Sequence, residues 1–105
     1  MNRLIFISGP YTNGDQAANV RAAIDAGDMV IARGDMPFVP HLFHSWELVS
    51  PKPYEHWLTL DLVMLARCDA LLRLPGESPG ADREVAHAFK LGVPVFTLAA
   101  YQAGA

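Results

Sequence analysis

Two carboxylic acids are the residues of this chain best suited to chemistry. Glu84 lies in SPGADREVAHA, residues 78–88, a few residues beyond a Pro/Gly turn that predicts the start of a helix. Asp61 stands inside the apolar run WLTLDLVML. A carboxylate beside a small anionic ligand can serve as a nucleophile, and a carboxyl group with a raised pKa suits acid–base work. These two side chains are therefore the first candidates for a catalytic role.

The neighbours of Asp61 bear on whether its role is functional or structural. The residues one helical turn before and after it are apolar, which predicts a partly desolvated carboxylate. Such a group is costly unless it lines a pocket, where its pKa would be raised. The alternatives are an ion pair with Arg67 or Arg73 and a position at a solvent-facing edge. The sequence leaves these possibilities open.

A purely structural role is also open to Glu84. Ser78 can cap the helix with Pro79 at its first position. Asp82 and Glu84 would then lie near the positive end of the helix dipole, where acids are stabilising. The same geometry makes an anion site, because a serine, the amides of the turn and a helix N-terminus suit a phosphate. Capping and ligand binding are compatible at this position.

A third segment with chemical potential is SGPYT, residues 8–12, which follows an apolar run at the N-terminus. It has neither the glycine and lysine pattern of a P-loop nor the GxGxxG of a dinucleotide site. The small turn at Ser8 and Gly9 allows backbone N–H groups to approach a sugar or phosphate, and Tyr11 can place a phenol donor beside a carboxylate. The alternative is a tight turn between strand and helix in which Tyr11 only packs.

The segment after residue 40 offers further candidates for contact with a ligand. His41 and His44 are spaced as metal ligands could be, but no nearby carboxylate or cysteine pattern supports a metal, and none is expected. Trp46, with Phe43 and Trp57, can provide a stacking wall for a planar base, although such aromatic residues more often belong to a core or a subunit interface. His41 and Trp46 are the substrate-binding candidates here.

These residues must be positioned by alternating strands and helices. Continuous apolar runs predict buried parallel strands, and recurrence at i+3 and i+4 predicts amphipathic helices. The segment 41–53 is interpreted as a loop with at most a short helix, and residues 99–105 as a surface end or an interface element. The predicted strands are 3–8, 36–40, 68–74 and 93–98, and the predicted helices are 15–33, 54–67 and 81–91. This order favours an α/β fold whose parallel sheet lies between helices, with SGPYT and PGESPG meeting beyond the strand ends.

Composition restricts the classes of function. The 105 residues suit a single domain, 1–105. Only 18% are charged, against about 25% in a typical globular protein, which favours a homo-oligomer. A net charge of −3 gives no basic surface for a nucleic-acid polymer or an anionic membrane. The lone Cys68, together with the lack of a signal peptide or membrane span, predicts a soluble cytoplasmic protein.

The order and separation of the three segments resemble the nucleoside 2-deoxyribosyltransferase-like superfamily, which includes 2′-deoxynucleoside 5′-phosphate N-hydrolases. The resemblance spans nearly the whole chain. It rests on SGPYT after the first strand, on Asp61 in LTLDLVML, and on Ser78, Gly80 and Glu84 before the last predicted helix and GVPVF. It implies a three-layer Rossmann-like fold with a four- to five-stranded parallel sheet in flavodoxin-like strand order.

The resemblance also implies roles. Glu84 would attack C1′ of a nucleotide or nucleoside, Tyr11 would orient Glu84, and Asp61 would assist departure and protonation of the base. Ser78 and Gly80 would hold a 5′-phosphate. No cofactor is implied, and a homodimer or homotetramer is expected in which a neighbouring subunit completes the pocket.

Three functions are compatible with this set of residues. The first is hydrolysis of the N-glycosidic bond of a (deoxy)nucleoside 5′-monophosphate, and the alternatives are base exchange and a non-catalytic nucleotide-binding module. The chain departs from the family pattern where Ala81, Asp82 and Arg83 replace the usual glycine-rich segment.

Overall fold

The computed structural model describes residues 2–105 as alternating strands and helices. A short 3₁₀ turn, Pro40–Leu42, precedes the second helix. The strands are β1 (Leu4–Ser8), β2 (Met36–Phe38), β3 (Ala70–Arg73) and β4 (Val95–Thr97), and the helices are α1 (Gln16–Ala32), α2 (Phe43–Val49), α3 (Tyr54–Leu65), α4 (Pro79–Leu91) and α5 (Leu98–Gln102).

The four strands form one parallel sheet in the order β2-β1-β3-β4. The chain moves outward from β1 to β2 and then crosses to β3 on the other side. The topological switch point, where the order of strand addition reverses, therefore lies between β1 and β3. Open α/β sheets bind ligands there, beyond the carboxyl ends of the strands. The predicted Rossmann-like fold with flavodoxin-like strand order is confirmed, with four strands.

The central strands are buried because helices cover both faces of the sheet. Successive strand residues point to opposite faces. Ile5 and Ile7 therefore pack into the cluster that includes α1 and Tyr101 of α5, whereas Phe6 and Leu71 pack against residues of α3 and α4. Full burial of each such side chain contributes roughly 1.5–3 kcal/mol of transfer free energy. The well-packed centre gives the loops at the strand ends a rigid base.

Helix α4 begins and ends at residues whose chemistry defines its limits. The Ser78 Oγ accepts a hydrogen bond from the Ala81 N–H at 3.1 Å, and Pro79 is the first helical residue. Gly92 follows the helix at φ +72°, a left-handed conformation that favours glycine. The predicted cap is therefore present, and the helix starts two residues before the predicted limit of 81. This start places Glu84 in the second turn.

One segment matches the sequence prediction and another differs from it. The segment 41–53 contains the expected short helix, α2, which has seven residues. The C-terminal residues form α5, and Tyr101 is fully buried, so the interpretation of the tail as a surface end is wrong. The Tyr101 hydroxyl donates to Asp35 Oδ2 at 2.8 Å, and Arg3 Nη2 donates to the same oxygen at 3.0 Å. Among residues 2–105, no helix has both the length and the apolar character to cross a membrane.

Candidate functional site

A cleft of about 390 Å³ opens beyond the carboxyl ends of β1 and β3. Its walls come from the loop after β1, from α2, from one face of α3 and from the start of α4. All three of the predicted catalytic side chains, Tyr11, Asp61 and Glu84, line it. The three segments that are distant in sequence thus meet at the switch point of the sheet.

Asp61 and Glu84 form a carboxyl pair inside this cleft. Burial and then the neighbouring Glu84 raise the pKa of Asp61 to about 8. Burial also raises the pKa of Glu84, but hydrogen bonds from Ser8 and Asp61 and the charges of Arg73 and Arg83 oppose that rise. The pKa of about 8 keeps the Asp61 carboxyl group protonated near neutral pH, while the hydrogen bond from Ser8 and the nearby arginines favour the charged form of Glu84.

The possible ion pair of Asp61 with an arginine is not formed. Arg73 Nη2 instead bonds Asp82 Oδ1 at 3.0 Å and the Gly76 carbonyl at 3.0 Å. The Oδ1 atom of Asp61 is buried and has no hydrogen-bond partner within residues 2–105. A buried polar atom left without a partner in this way is suited to a hydrogen bond with a bound ligand.

Ser8 fixes the orientation of Glu84. It is the last residue of β1 and is fully buried, and its Oγ donates to Glu84 Oε1 at 2.7 Å. Ser8 is not among the residues that line the cleft, and its hydroxyl contacts the glutamate instead. Gly9 does line the cleft, but a Cβ there would come within 2.9 Å of the Leu74 Cβ. Close packing accounts for this glycine without a ligand.

Tyr11 does not make the expected contact with Glu84. Its hydroxyl pairs with the Nδ1 atom of His44, and its ring packs edge-on against the rings of His41 and His44. Burial, with the nearby charge of Glu47, raises the pKa of Tyr11, so the phenol stays protonated at neutral pH. Tyr11 lies in the loop between β1 and α1 and contacts α2 through His44. Ser8, at the end of β1, makes the contact with Glu84 that was predicted for Tyr11.

His41 is held neutral in the cleft wall. Its Nε2 lies 2.9 Å from the carbonyl of Pro10, which can only accept a hydrogen bond, so Nε2 carries the proton. Burial lowers the pKa of the ring, outweighing the carbonyls of Pro10 and Gly9. The Nδ1 atom is buried without a partner in the described part of the chain. Residues 2–105 contain no group of three or more His, Cys, Asp or Glu arranged to hold a metal ion.

The predicted aromatic wall is present, but Trp46 is not part of the cleft lining. Phe43 and Trp57 line the cleft and stack on each other with ring centroids 5.4 Å apart. Trp46 packs edge-on against both from outside and is 50% exposed. Trp57 is fixed by its indole N–H, which donates to Glu47 Oε1 at 2.6 Å. The aromatic part of the cleft lining is therefore Phe43 and Trp57.

The start of α4 forms the other end of the cleft. Ser78 and Gly80 both line it, and the Ser78 Oγ is already engaged in capping. Asp82 is turned toward Arg73, whereas Arg83 lines the cleft and donates from Nη2 to the Tyr54 hydroxyl at 2.6 Å. The two charged residues that depart from the family pattern thus point in different directions.

Sequence reasoning missed Tyr54 and Glu47 as cleft residues. A signal for Tyr54 was present, because Tyr54, Leu58 and Asp61 recur at helical spacing on one face of α3 and all line the cleft. For Glu47 no such signal existed, since α2 has only seven residues and its periodicity is too short to define a face.

Solved structures with this fold include two deoxyribosyltransferases. A 2-deoxyribosyltransferase from Bacillus psychrosaccharolyticus superposes with a TM-score of 0.64 at 20% identity, over 90% of this chain and 70% of that chain. A 2-deoxyribosyltransferase from Leishmania mexicana gives a TM-score of 0.67 at 18% identity, over 90% of this chain and 63% of that chain. These likenesses confirm the nucleoside 2-deoxyribosyltransferase-like fold.

The remaining comparisons concern the sequence. No curated protein matches it. One family model matches residues 3–98, nearly the full length of the fold described above. The chain therefore belongs to the family described as Domain of unknown function (DUF7768).

Proposed function

We propose that this protein cleaves the N-glycosidic bond of a nucleoside 5′-monophosphate, with Glu84 as nucleophile and Asp61 as proton donor. The observation that carries the proposal is that Asp61 and Glu84 lie together in one cleft, with Glu84 held by the Ser8 hydroxyl and Asp61 Oδ1 without a partner among residues 2–105. Retaining glycosidases use two carboxyl groups close together, one as nucleophile and the other to handle protons. Asp61, whose pKa is raised to about 8, suits the proton-handling role, and Glu84 suits the role of nucleophile.

The proposed reaction has two steps. In the first, a Glu84 oxygen forms a bond to C1′, the C1′–N bond breaks, its electron pair goes to the base, and the Asp61 proton neutralises the leaving nitrogen. In the second, water attacks C1′, its proton returns to Asp61, and the bond between C1′ and Glu84 breaks. Asp61 regains its starting state, so no external acid or base is consumed.

Several contacts support these roles. The Ser8 hydroxyl binds Oε1 of Glu84, which orients the carboxylate and leaves Oε2 for attack. Phe43 and Trp57 give a planar base a stacking surface. At the far end of the cleft, Ser78 and Gly80 at the start of α4 suit the phosphate.

Base exchange is the second candidate, and the two similar structures, both 2-deoxyribosyltransferases, favour it. Exchange uses the same glycosyl-enzyme but replaces water by a second base. A third candidate is a module that binds a nucleotide in this cleft without cleaving it.

The deciding experiment measures release of free base from a panel of deoxynucleoside 5′-monophosphates and deoxynucleosides. We expect Glu84→Gln to lower kcat by about a thousandfold or more, because the amide keeps the shape but is no nucleophile. Glu77→Gln, at an exposed acid outside the cleft, is the matched control. Formation of a new nucleoside on adding a second base would identify exchange, and binding without release by the wild type would identify the silent module.

A homo-oligomer is part of the same proposal. Leu48 and Val49, on the α2 helix that also contributes to the cleft, are 71% and 86% exposed. A second subunit that covered them would remove apolar surface from water. Light scattering of the purified protein tests this, and a monomer at all concentrations would rule it out.

A further inference from the structure

The charges around the cleft raise the question of how it could hold an anionic substrate. The acids in the lining are Glu47, whose pKa is lowered chiefly by the Lys52 backbone N–H, and the Asp61–Glu84 pair. Among the described residues 2–105, Arg83 is the one lysine or arginine side chain in the lining. Ser78 and Gly80 supply hydrogen-bond donors but no net positive charge. Preference for a phosphorylated ligand would therefore depend on Arg83.

Three groups surround one place at the mouth of the cleft. Arg83 Nη2 donates to the Tyr54 hydroxyl at 2.6 Å, and its guanidinium carbon lies 5.8 Å from the centre of the Tyr54 ring. A Cβ added to Gly80 would lie 3.9 Å from the same hydroxyl. Gly80 and Arg83 are also three residues apart on α4, which places them on one side of the helix. Gly80, Tyr54 and Arg83 are thus neighbours in the lining of the cleft, around the Tyr54 hydroxyl.

The position of Arg83 separates it from the reacting atoms. Arg83 directly precedes Glu84, and consecutive helical residues point about 100° apart. The guanidinium accordingly reaches the outer side of the cleft while Glu84 points inward toward Ser8. A group bound by Arg83 lies away from the bond that Glu84 would attack, as a 5′-phosphate lies away from C1′.

Two buried polar atoms without hydrogen-bond partners support a ligand site in the cleft independently of Arg83. The His41 side chain is 6% exposed, and its Nδ1 atom has no partner among residues 2–105. The Oδ1 atom of Asp61 is likewise buried without a hydrogen-bond partner in the described part of the chain. Both residues line the same cleft as Arg83.

We propose that Arg83, held by Tyr54, is the specificity-determining residue of this cleft and binds the phosphate of a nucleoside 5′-monophosphate. The guanidinium has nitrogens beyond the one that contacts Tyr54, so it can bind two phosphate oxygens while it keeps this contact. The inference rests on the proposed function for the identity of the ligand, and it adds the side chain that separates nucleotides from nucleosides.

The test is the ratio of kcat/KM for a deoxynucleoside 5′-monophosphate to that for the same deoxynucleoside. We expect Arg83→Gln to lower this ratio about ten- to a hundredfold, mainly through the KM of the monophosphate, because a charge-assisted hydrogen bond is lost. Tyr54→Phe should lower it by less, and Arg83→Lys should recover part of it. Arg67→Gln, at an exposed arginine outside the cleft, is the matched control and should leave the ratio unchanged.

The ratio also cancels effects of Arg83 on Glu84, because these act on both substrates. An unchanged ratio in Arg83→Gln overturns the inference. If the wild type releases no base from any substrate, the proposed function fails and calorimetric binding of the same two ligands decides about Arg83. Equal affinity of wild type and Arg83→Gln for the monophosphate, or no binding by either, overturns the inference in that case.

Discussion

The molecule contains two partly or fully buried aspartates in opposite electrostatic states. Asp35 has its pKa lowered to about 2, chiefly by hydrogen bonding from Arg3, whereas burial and Glu84 raise the pKa of Asp61 to about 8. Asp35 accepts hydrogen bonds from the backbone and guanidinium of Arg3 and from the Tyr101 hydroxyl. Asp61 faces a second acid and has one oxygen without a partner within residues 2–105.

The difference shows that burial alone does not make a carboxyl group reactive. With three kinds of donor around it, Asp35 is stabilised as an anion and ties the end of the chain, through Tyr101, to the edge of the sheet. Asp61 lacks such donors, so it keeps its proton near neutral pH, and under the proposed function it gives that proton to the leaving base. The number of donors around each acid accounts for the opposite directions of the two pKa shifts.

The largest effect that would test this contrast is expected from Asp61→Asn. Loss of a general acid lowers kcat by roughly 10²–10⁴-fold. Stability should not fall, because the amide removes a desolvated acid next to Glu84 and adds a donor. Steady-state base release and thermal unfolding measure the two properties. A variant that keeps its activity while losing stability would place Asp61 with Asp35 among the structural acids.

The pH dependence of the reaction is the next test. Because the pair must keep its proton, kcat/KM for base release should fall above a pH of about 8, approaching tenfold per pH unit. The same raised pKa means that the folded state binds more protons than the unfolded state between about 4 and 8, so the contribution of Asp61 to stability decreases as pH rises through that window. Asp61→Asn should lack both effects. A pH–rate profile that is flat from 7 to 10 would contradict the assignment of the proton.

The smallest effect is expected from Asp35→Asn. Loss of the charge-assisted contacts should cost about 1–2 kcal/mol of unfolding free energy, reduced because the Arg3 side chain is 41% exposed and screened. Activity per folded molecule should be unchanged. Because the folded pKa is depressed from 3.8 to about 2, this stabilisation is present above pH 4 and is lost as the pH falls toward 2. Urea unfolding at pH 7 and at pH 3 measures it, and an equal deficit at both would contradict the mechanism.

Local rules account for the parts of the fold that were predicted. The apolar runs of β1 and β3, the cap at Ser78 and Gly92 after α4 depend on neighbours in sequence, so they could be predicted from sequence. The bounds of the short helix α2 and the burial of Tyr101 were not predicted, because α2 spans too few residues for a period and Tyr101 is held by Asp35 from a distant segment.

The sequence by itself determined the residue types of the cleft and the order of elements that carries them to one edge of the sheet. Only the tertiary structure decided the contacts. It gave Glu84 the hydroxyl of Ser8 in place of Tyr11, kept Trp46 outside the lining, and turned Arg83 into the cleft while Asp82 turned to Arg73. The physical reason is that hydrogen bonds and desolvation depend on distances of a few ångströms between segments that chain order does not relate.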